Sequence, residues 1–427
     1  MRILHVSDCY LPRLGGIEVQ VADLIRTQRQ AGHHVEVATA TPGEPLPGVR
    51  RIVAKLPFDL PVHPFGVRHM LRLMTARRPD VVHVHTGAIS PFAWMGVRAA
   101  VRAGLPVVVT VHSMWDPVTR AVYRGLRLLY GWNRWGLVGT AVSEAAAVPI
   151  RAVAGHGVPV HVVSNGLDVS AWRPAGDDPD PARREPGAEE RGADLAGHGP
   201  GAEERGADLA RREPDPARRA GSAGGEPGSG RCATGAEPVH VVAVGRLAPR
   251  KQPVRLLRLL KEARAQVPHG TPMRATIVGD GPARSQMERY LRANGMTGWV
   301  SLPGRYSRDR IRELLASADV FVAPAPRESF GLAALEARSA GVPVVARAQS
   351  GVADFVRPGK EGLLGGSFDG LVASVARLVR DRELRESIAA HNRETEPVRS
   401  SWPAVLEGFE RCYEEARALK SRRTRKP

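Results

Sequence analysis

The sequence predicts an α/β protein made of two doubly wound parallel sheets. Three observations carry that prediction. Apolar runs of strand length alternate with amphipathic stretches of helical length in residues 1–172, and the same alternation returns after residue 238. Between them, residues 173–237 offer almost nothing that could build a core. The full length of 427 residues suits two or three domains, at roughly 100–200 residues per domain.

In the first half, "RILHVS" reads as a buried strand, followed by a loop and an amphipathic helix from about Val19 to Ala31. "HHVEVATA", "DVVHVHT", "LPVVVTVH", "GLVGTAVS" and "VHVVSNG" continue as strands, most of them separated by stretches with 3–4 spacing. In the second half "VHVVAVG", "MRATIVGDG", "WVSLPG", "ADVFVAPA" and "VPVVARA" repeat the pattern through residue 385, and residues 386–427 add a last helix and a basic tail. The segment between the halves repeats itself: "PGAEERGADLA" stands at 186–196 and 200–210, and "PDPARR" at 179–184 and 214–219. Its only large apolar residues are Leu195 and Leu209, too few to offset the entropy of ordering, so 173–237 is expected to be a disordered insertion.

Composition narrows the function. Net charge is +17, and the insertion, with ten arginines and fourteen acids, contributes −4, leaving +21 on the rest. A basic body suits nucleic acid, anionic lipid or phosphorylated small molecules, or serves only solubility. Cys9, Cys232 and Cys412 match no metal or redox spacing and fit a reducing cytosol. The start "MRILHVSDCYLP" lacks the features of a signal peptide, and no window approaches the roughly 18 apolar residues of a membrane span. The expected location is cytoplasmic, with peripheral contact on the inner face of the membrane.

Ligands of doubly wound sheets bind at the carboxyl ends of the strands, so the loops there should hold the chemistry. After the first strand, Gly15 and Gly16 in "DCYLPRLGGIE" would let backbone N–H groups approach an anion; paired glycines also simply make turns. "VGRLAPRK" places Arg246 and Lys251 in one strand–helix loop, which suits a diphosphate or leaves two solvated cations. "VGDGPARSQME" brackets Asp280 with Gly279 and Gly281 but lacks the third glycine of a dinucleotide fingerprint. "RESFGLAALEA" sets Glu328 in a loop and Glu336 inside a helix. Ser329, Phe330, Gly331 and Leu332 are expected to start that helix and offer N–H groups to phosphate oxygens. A carboxylate at Glu336 could accept hydrogen bonds from the vicinal hydroxyls of a ribose.

"RESFGLAALEA" resembles the E-x7-E motif of family 4 retaining glycosyltransferases, which have the two-domain GT-B fold. The resemblance runs through "LPRLGGIEVQVADL", "VVHVH", "VTVHS", "VSNGLD", "VGRLAPRK", "VGDGP" and "SAGVPVV", covering both halves and skipping only the insertion. "VSDCYLPRLGGIE" and "VHVHTGAISPFA" look most like the phosphatidylinositol N-acetylglucosaminyltransferase branch, with the phosphatidylinositol mannosyltransferases also similar. It implies two Rossmann-like domains facing each other across a cleft. The donor would be a nucleoside-diphosphate sugar: a UDP-sugar such as UDP-N-acetylglucosamine, or alternatively GDP-mannose.

The resemblance also implies roles. Glu328 would hold sugar hydroxyls, Glu336 the ribose, and Arg246 with Lys251 the departing pyrophosphate. Gly15, Gly16, Gly279 and Arg305 would line the donor site. His112 in "VTVHS" would contact the donor sugar; read without the resemblance, it is better taken as a satisfied histidine at a strand end. His85, Ser113 and Arg134 are candidates for contact with an unknown hydroxyl acceptor. No D-x-D stands at a strand end, so no cofactor and no essential metal are expected.

Two basic stretches suit either an anionic membrane surface or a solvated helix face. One carries Arg68 and Arg72; the other puts Arg120, Arg124, Arg127 and Arg134 on one stripe near Tyr130, Trp132 and Trp135. Three rivals remain. A nucleic-acid-binding protein explains the charge but not the carboxylate pair, so no nucleic acid is expected. An NAD-dependent oxidoreductase lacks its fingerprint. A catalytically dead relative would have the same fold, but here the motif residues are intact.

Overall fold

In a computed structural model the described residues are 1–13, 15–53, 63–173 and 237–424. The expectation for the insertion therefore lies outside them, apart from its end residues Arg173 and Glu237.

The first half holds seven parallel strands: β1 (Arg2–Ser7), β2 (His34–Thr39), β3 (Val49–Arg51), β4 (Val81–Thr86), β5 (Val107–Val111), β6 (Leu137–Ala141) and β7 (Val160–Val162). Their order is β3-β2-β1-β4-β5-β6-β7. The second half holds β8 (Val239–Val244), β9 (Met273–Val278), β10 (Val300–Gly304), β11 (Val320–Ala323), β12 (Val344–Arg347) and β13 (Gly362–Gly365), ordered β10-β9-β8-β11-β12-β13. Parallel sheets are covered on both faces, which is why these strands are near-continuous Val-rich runs; every residue of β4 is buried. In both sheets the order reverses beside the first strand, between β1 and β4 and between β8 and β11. A doubly wound sheet opens its ligand crevice at such a reversal.

Helices close the crossovers. The first half uses α1 (Gly16–Gln30), α2 (Gly66–Arg77), α3 (Pro91–Arg102), α4 (Pro117–Tyr130) and α5 (Glu144–Ala154). The second uses α6 (Pro253–Ala265), α7 (Arg284–Ala293), α8 (Arg308–Ala316), α9 (Leu332–Ser339), α10 (Phe368–Arg380) and α11 (Arg382–Glu394). Asp116, Ser143 and Ser307 cap α4, α5 and α8 by accepting from the backbone N–H three residues on.

One face of the first sheet (Leu4, Val82, Val84, Val107) packs against Met70, Met74, Phe92 and Val97 of α2 and α3. The other face (Ile3, Val81, Val108, Val138) meets α1 and the last helix, α12 (Trp402–Thr424), through Val21, Leu24, Val405, Phe409 and Tyr413. Each fully buried side chain of this size stabilises by about 1.5–3 kcal/mol, so several kilocalories hold the chain's end on its beginning.

The strands named from sequence all form. Two more, β3 ("VRR") and β13 ("GLLG"), were not named, because arginines in the first and glycines in the second interrupt the apolar run. The last helix extends to Thr424, so most of the basic tail "KSRRTRKP" is helical. No helix among the described residues is long and apolar enough to cross a membrane.

Candidate active site

Loops at the carboxyl ends of the two sheets meet, those after β5 and β6 against the loop after β11. After β8 the chain passes exposed Arg246 and closes a short 3-10 turn, Pro249–Lys251. After β11 it runs through Pro324–Pro326 to Glu328. Lys251 Nζ meets Glu328 Oε2 at 2.5 Å across the reversal, with both side chains partly open to solvent. Two residues expected to serve one ligand thus stand in contact.

The loop carrying Glu328 is fixed from several sides. Ser329 Oγ donates to the His112 carbonyl (2.7 Å), and Ser143 Oγ donates to the Ser329 carbonyl (2.6 Å). The Gly351 N–H donates to the Glu328 carbonyl (2.9 Å). A Cβ at Gly351 would stand 2.1 Å from the Ser329 carbonyl oxygen, so only glycine permits this approach. Arg327 pairs with Asp116 at 3.2 Å, the Glu144 N–H donates to Asp354 at 2.7 Å, and Arg308 pairs with Asp23 at 3.5 Å. These contacts join the halves and bring His112 beside the Glu328 loop.

Helix α9 starts later than expected. Gly331 is its N-cap, at φ +94°, and Leu332 its first residue. Ser329 and Phe330 precede it, and buried Phe330 packs on Phe355 with ring centroids 5.3 Å apart. Phe330 is therefore a core anchor for the loop; only its backbone could meet a ligand. The first turn of α9 still leaves amide N–H groups without intrahelical partners.

Glu336 lies one turn into α9. Burial pushes its carboxyl up to about 7; Asp23 pushes the same way, while Arg308 and Arg312 oppose it. Those arginines also lie over the Trp172 ring, each 5.7 Å from its centroid. Gly279, at φ +141°, presses on the loop after β8: a Cβ there would fall 1.9 Å from the Gly245 carbonyl oxygen. Arg305, largely exposed, pairs loosely with Asp280 at 3.8 Å. Gly15 is the N-cap of α1, and Gly16 faces open space.

The acceptor candidates divide. His112 is buried except for one edge, and burial lowers its ring to about 4. His85 does not reach the cleft. It stands behind His112, with Nδ1 3.0 Å from His112 Nε2 and Nε2 2.8 Å from His5 Nδ1, so it has no edge for an acceptor. Ser113 Oγ is buried with no hydrogen-bond partner among the described residues, and Arg134 is exposed beyond α4.

Asp8, which sequence reasoning passed over, directly follows β1. It accepts from the Phe92 and Ala93 N–H groups at the start of α3 (2.9 and 3.2 Å), and its Oδ2 has no hydrogen-bond partner among the described residues. Burial pushes this carboxyl up to about 6. A polar residue at the carboxyl end of a first strand was the available signal.

The arginine stripe expected on α4 is broken. Arg127, half-buried, donates from Nη1 to the Val153 carbonyl at 2.7 Å. Val118, Val122, Leu128, Leu129 and Tyr130 are exposed instead, with Arg124 among them. Arg68 and Arg72 on α2 are exposed as expected.

Comparison with known proteins agrees with this layout. Residues 14–171 match the family described as Glycosyltransferase Family 4, and residues 234–395 match Glycosyl transferases group 1. A GDP-mannose-dependent alpha-mannosyltransferase of Mycobacterium tuberculosis is 28% identical, over 99% of this chain and 98% of its own length. A D-inositol 3-phosphate glycosyltransferase of Acidothermus cellulolyticus is 30% identical, over 99% of this chain and 91% of its own. Among solved structures, the Anabaena protein Alr3699/HepE, crystallised with UDP and glucose, superposes with a TM-score of 0.66 at 19% identity, covering 96% of this chain and 98% of that one. With both halves matched in order and the Glu328–Glu336 motif placed at the reversal of the second sheet, the chain belongs to glycosyltransferase family 4 and has the GT-B fold.

Proposed function

We propose that this glycosyltransferase takes mannose from GDP-mannose and transfers it, with retention of configuration and without a metal, to a hydroxyl acceptor presented at an anionic membrane surface. The Lys251–Glu328 pair at the reversal of the second sheet carries the reading. Lys251, with Arg246 from the same loop, neutralises the diphosphate. Glu328, beside it, holds the sugar. Glu336 holds the ribose, and the first amides of α9 complete the phosphate cradle. Transfer breaks the bond between the anomeric carbon and the phosphate oxygen. The acceptor oxygen bonds to the same face of that carbon, and its proton passes to the departing phosphate. The protein's contribution is electrostatic: preorganised donors and cations meet charge as it grows.

The choice of GDP-mannose is supported by relatives from two mycobacteria named for that donor, each aligned over nearly the whole chain. Membrane contact is supported by the exposed apolar residues of α4 and the arginines of α2. A second reading is transfer from a UDP-sugar to an inositol-type acceptor; its acceptor part is supported by the 30% identity to the Acidothermus protein, which is named for D-inositol 3-phosphate.

The test is a donor panel of GDP-mannose, UDP-N-acetylglucosamine, UDP-glucose and ADP-glucose, scored by thermal stabilisation and slow donor hydrolysis in excess EDTA. GDP-mannose should stabilise most and be hydrolysed at a rate EDTA does not change. Preference for UDP-N-acetylglucosamine would install the second reading. Activity restored only by magnesium or manganese would remove the metal-free assignment.

A further inference from the structure

His112 is one end of a buried chain of hydrogen bonds that crosses the first sheet. From His85 and His5 the chain continues: His5 Nε2 meets Gln28 Oε1 at 2.8 Å, and Gln28 Nε2 donates to the Tyr413 hydroxyl at 2.8 Å. That hydroxyl meets His83 Nδ1 at 2.8 Å. His83 Nε2 meets Thr110 Oγ1 at 2.7 Å, and Thr110 meets Thr140 at 2.6 Å. Strand register builds the assembly. His5 lies opposite His83, His85 opposite Thr110, and Thr110 opposite Thr140, all pointing to the face that α1 and α12 cover.

His5, His83 and His85 cluster closely enough to suggest a metal site. All six of their ring nitrogens are already in hydrogen bonds, so no lone pairs converge on an ion. The cluster conducts polarity instead. Burial holds all three rings, and His112, well below the usual histidine range, so each is neutral and carries one N–H. Gln28 Oε1 only accepts, so His5 donates from Nε2 and accepts at Nδ1. His85 must then donate from Nε2 and accept at Nδ1. His112 in turn donates from Nε2, which leaves the lone pair on its Nδ1. On the other side, the Gln28 amide donates to Tyr413, directing the hydroxyl proton to His83. Reversing one member requires reversing its neighbours.

We propose that Gln28 and Tyr413 act through His5 and His85 as positioning residues that lock His112 in the Nε2–H tautomer. His112 Nδ1, which has no hydrogen-bond partner among the described residues, is then a fixed acceptor for a hydroxyl of the donor sugar. This last step rests on the transferase reading above; the tautomer lock does not.

The experiment uses the full chain with ¹⁵N-labelled histidine, and long-range proton–nitrogen correlation spectra assign each ring's tautomer without any donor present. Wild type should show His5, His85 and His112 all as Nε2–H. In Tyr413→Phe the Gln28 amide loses its fixed orientation. His112 should then populate both tautomers, and turnover should fall about three- to tenfold, the scale of one neutral hydrogen bond, with KM for the donor changing less than twofold. Gln28→Leu, which removes the acceptor for His5, should do the same, and it serves where Tyr413→Phe fails to fold. An Nδ1–H tautomer at His112 in wild type overturns the proposal. So does slower turnover in either variant with the His112 tautomer unchanged, because the effect would then be packing alone. If wild type turns over no nucleotide sugar, the transferase reading falls; the expected tautomers, and their loss in the variants, would still uphold the lock.

Discussion

At Glu336, burial against α9 and its neighbours raises the carboxyl from 4.5 to about 7, and this makes stability depend on pH with a definite sign. The unfolded chain gives up this proton near 4.5, while the folded chain keeps it until about 7. The stabilising contribution is therefore complete below 4.5 and is lost as pH rises through 7. Glu336→Gln should flatten that fall by on the order of a few kcal/mol between pH 5 and 8, read by chemical denaturation. Asp8, shifted the same way, should leave a residual slope.

Kinetics should separate the other assignments. Lys251→Ala removes a contact that strengthens as the diphosphate departs, so the rate should fall about 10- to 100-fold, more than donor affinity does. Glu328→Gln should slow turnover but spare affinity for the free nucleoside diphosphate, whereas Glu336→Gln should weaken that affinity directly. Calorimetry beside steady-state rates checks the set, and equal loss of diphosphate affinity in both glutamate variants would refute the division of sugar from ribose.

Among the elements, the parallel strands were legible because both faces are buried and the apolar runs are unbroken. The start of α9 was not legible. Gly331 and the tertiary holds on Ser329 and Phe330 delay it, and the partners that impose them (His112, Ser143, Gly351, Phe355) lie far away in sequence. The histidine chain had a trace in the sequence: "VHVH" puts polar rings at every second position, which directs them to one face of a sheet, and "RILHVS" holds one more inside a strand. Only strand order and the return of α12 make those faces coincide. On α4 the arginines suggested a charged stripe, but helix spacing could not reveal that Arg127 turns inward to the Val153 carbonyl. What remains outside is mostly apolar, with Arg124 among it, so insertion between lipids should matter more than charge. Leu128→Ser with Leu129→Ser should weaken binding to vesicles containing acidic lipid at least threefold, on the order of 1 kcal/mol, measured by co-sedimentation. Unchanged binding would assign these leucines to another surface.

For the whole molecule, the repeats of 173–237 and their two lone leucines motivate the expectation that this segment only tethers the folded halves. Replacing 176–236 with a short Gly/Ser linker should leave the melting temperature and donor hydrolysis nearly unchanged. A cooperative loss of folding would show that the repeats pack on the body after all.

The return of α12 to the first sheet has a consequence for biosynthesis. The chain leaves the ribosome amino end first, so β1, β4 and β5 emerge long before Phe409 and Tyr413 exist to cover them. Through most of translation the first half presents an apolar face with His83 lacking its Tyr413 partner. A fragment of residues 1–173 made alone should be poorly soluble, and coexpressed residues 396–424 should recover it, as measured by the soluble fraction. The first half is thus completed only when α12 arrives, and premature termination before Trp402 in the second half should yield a chain that never completes its first.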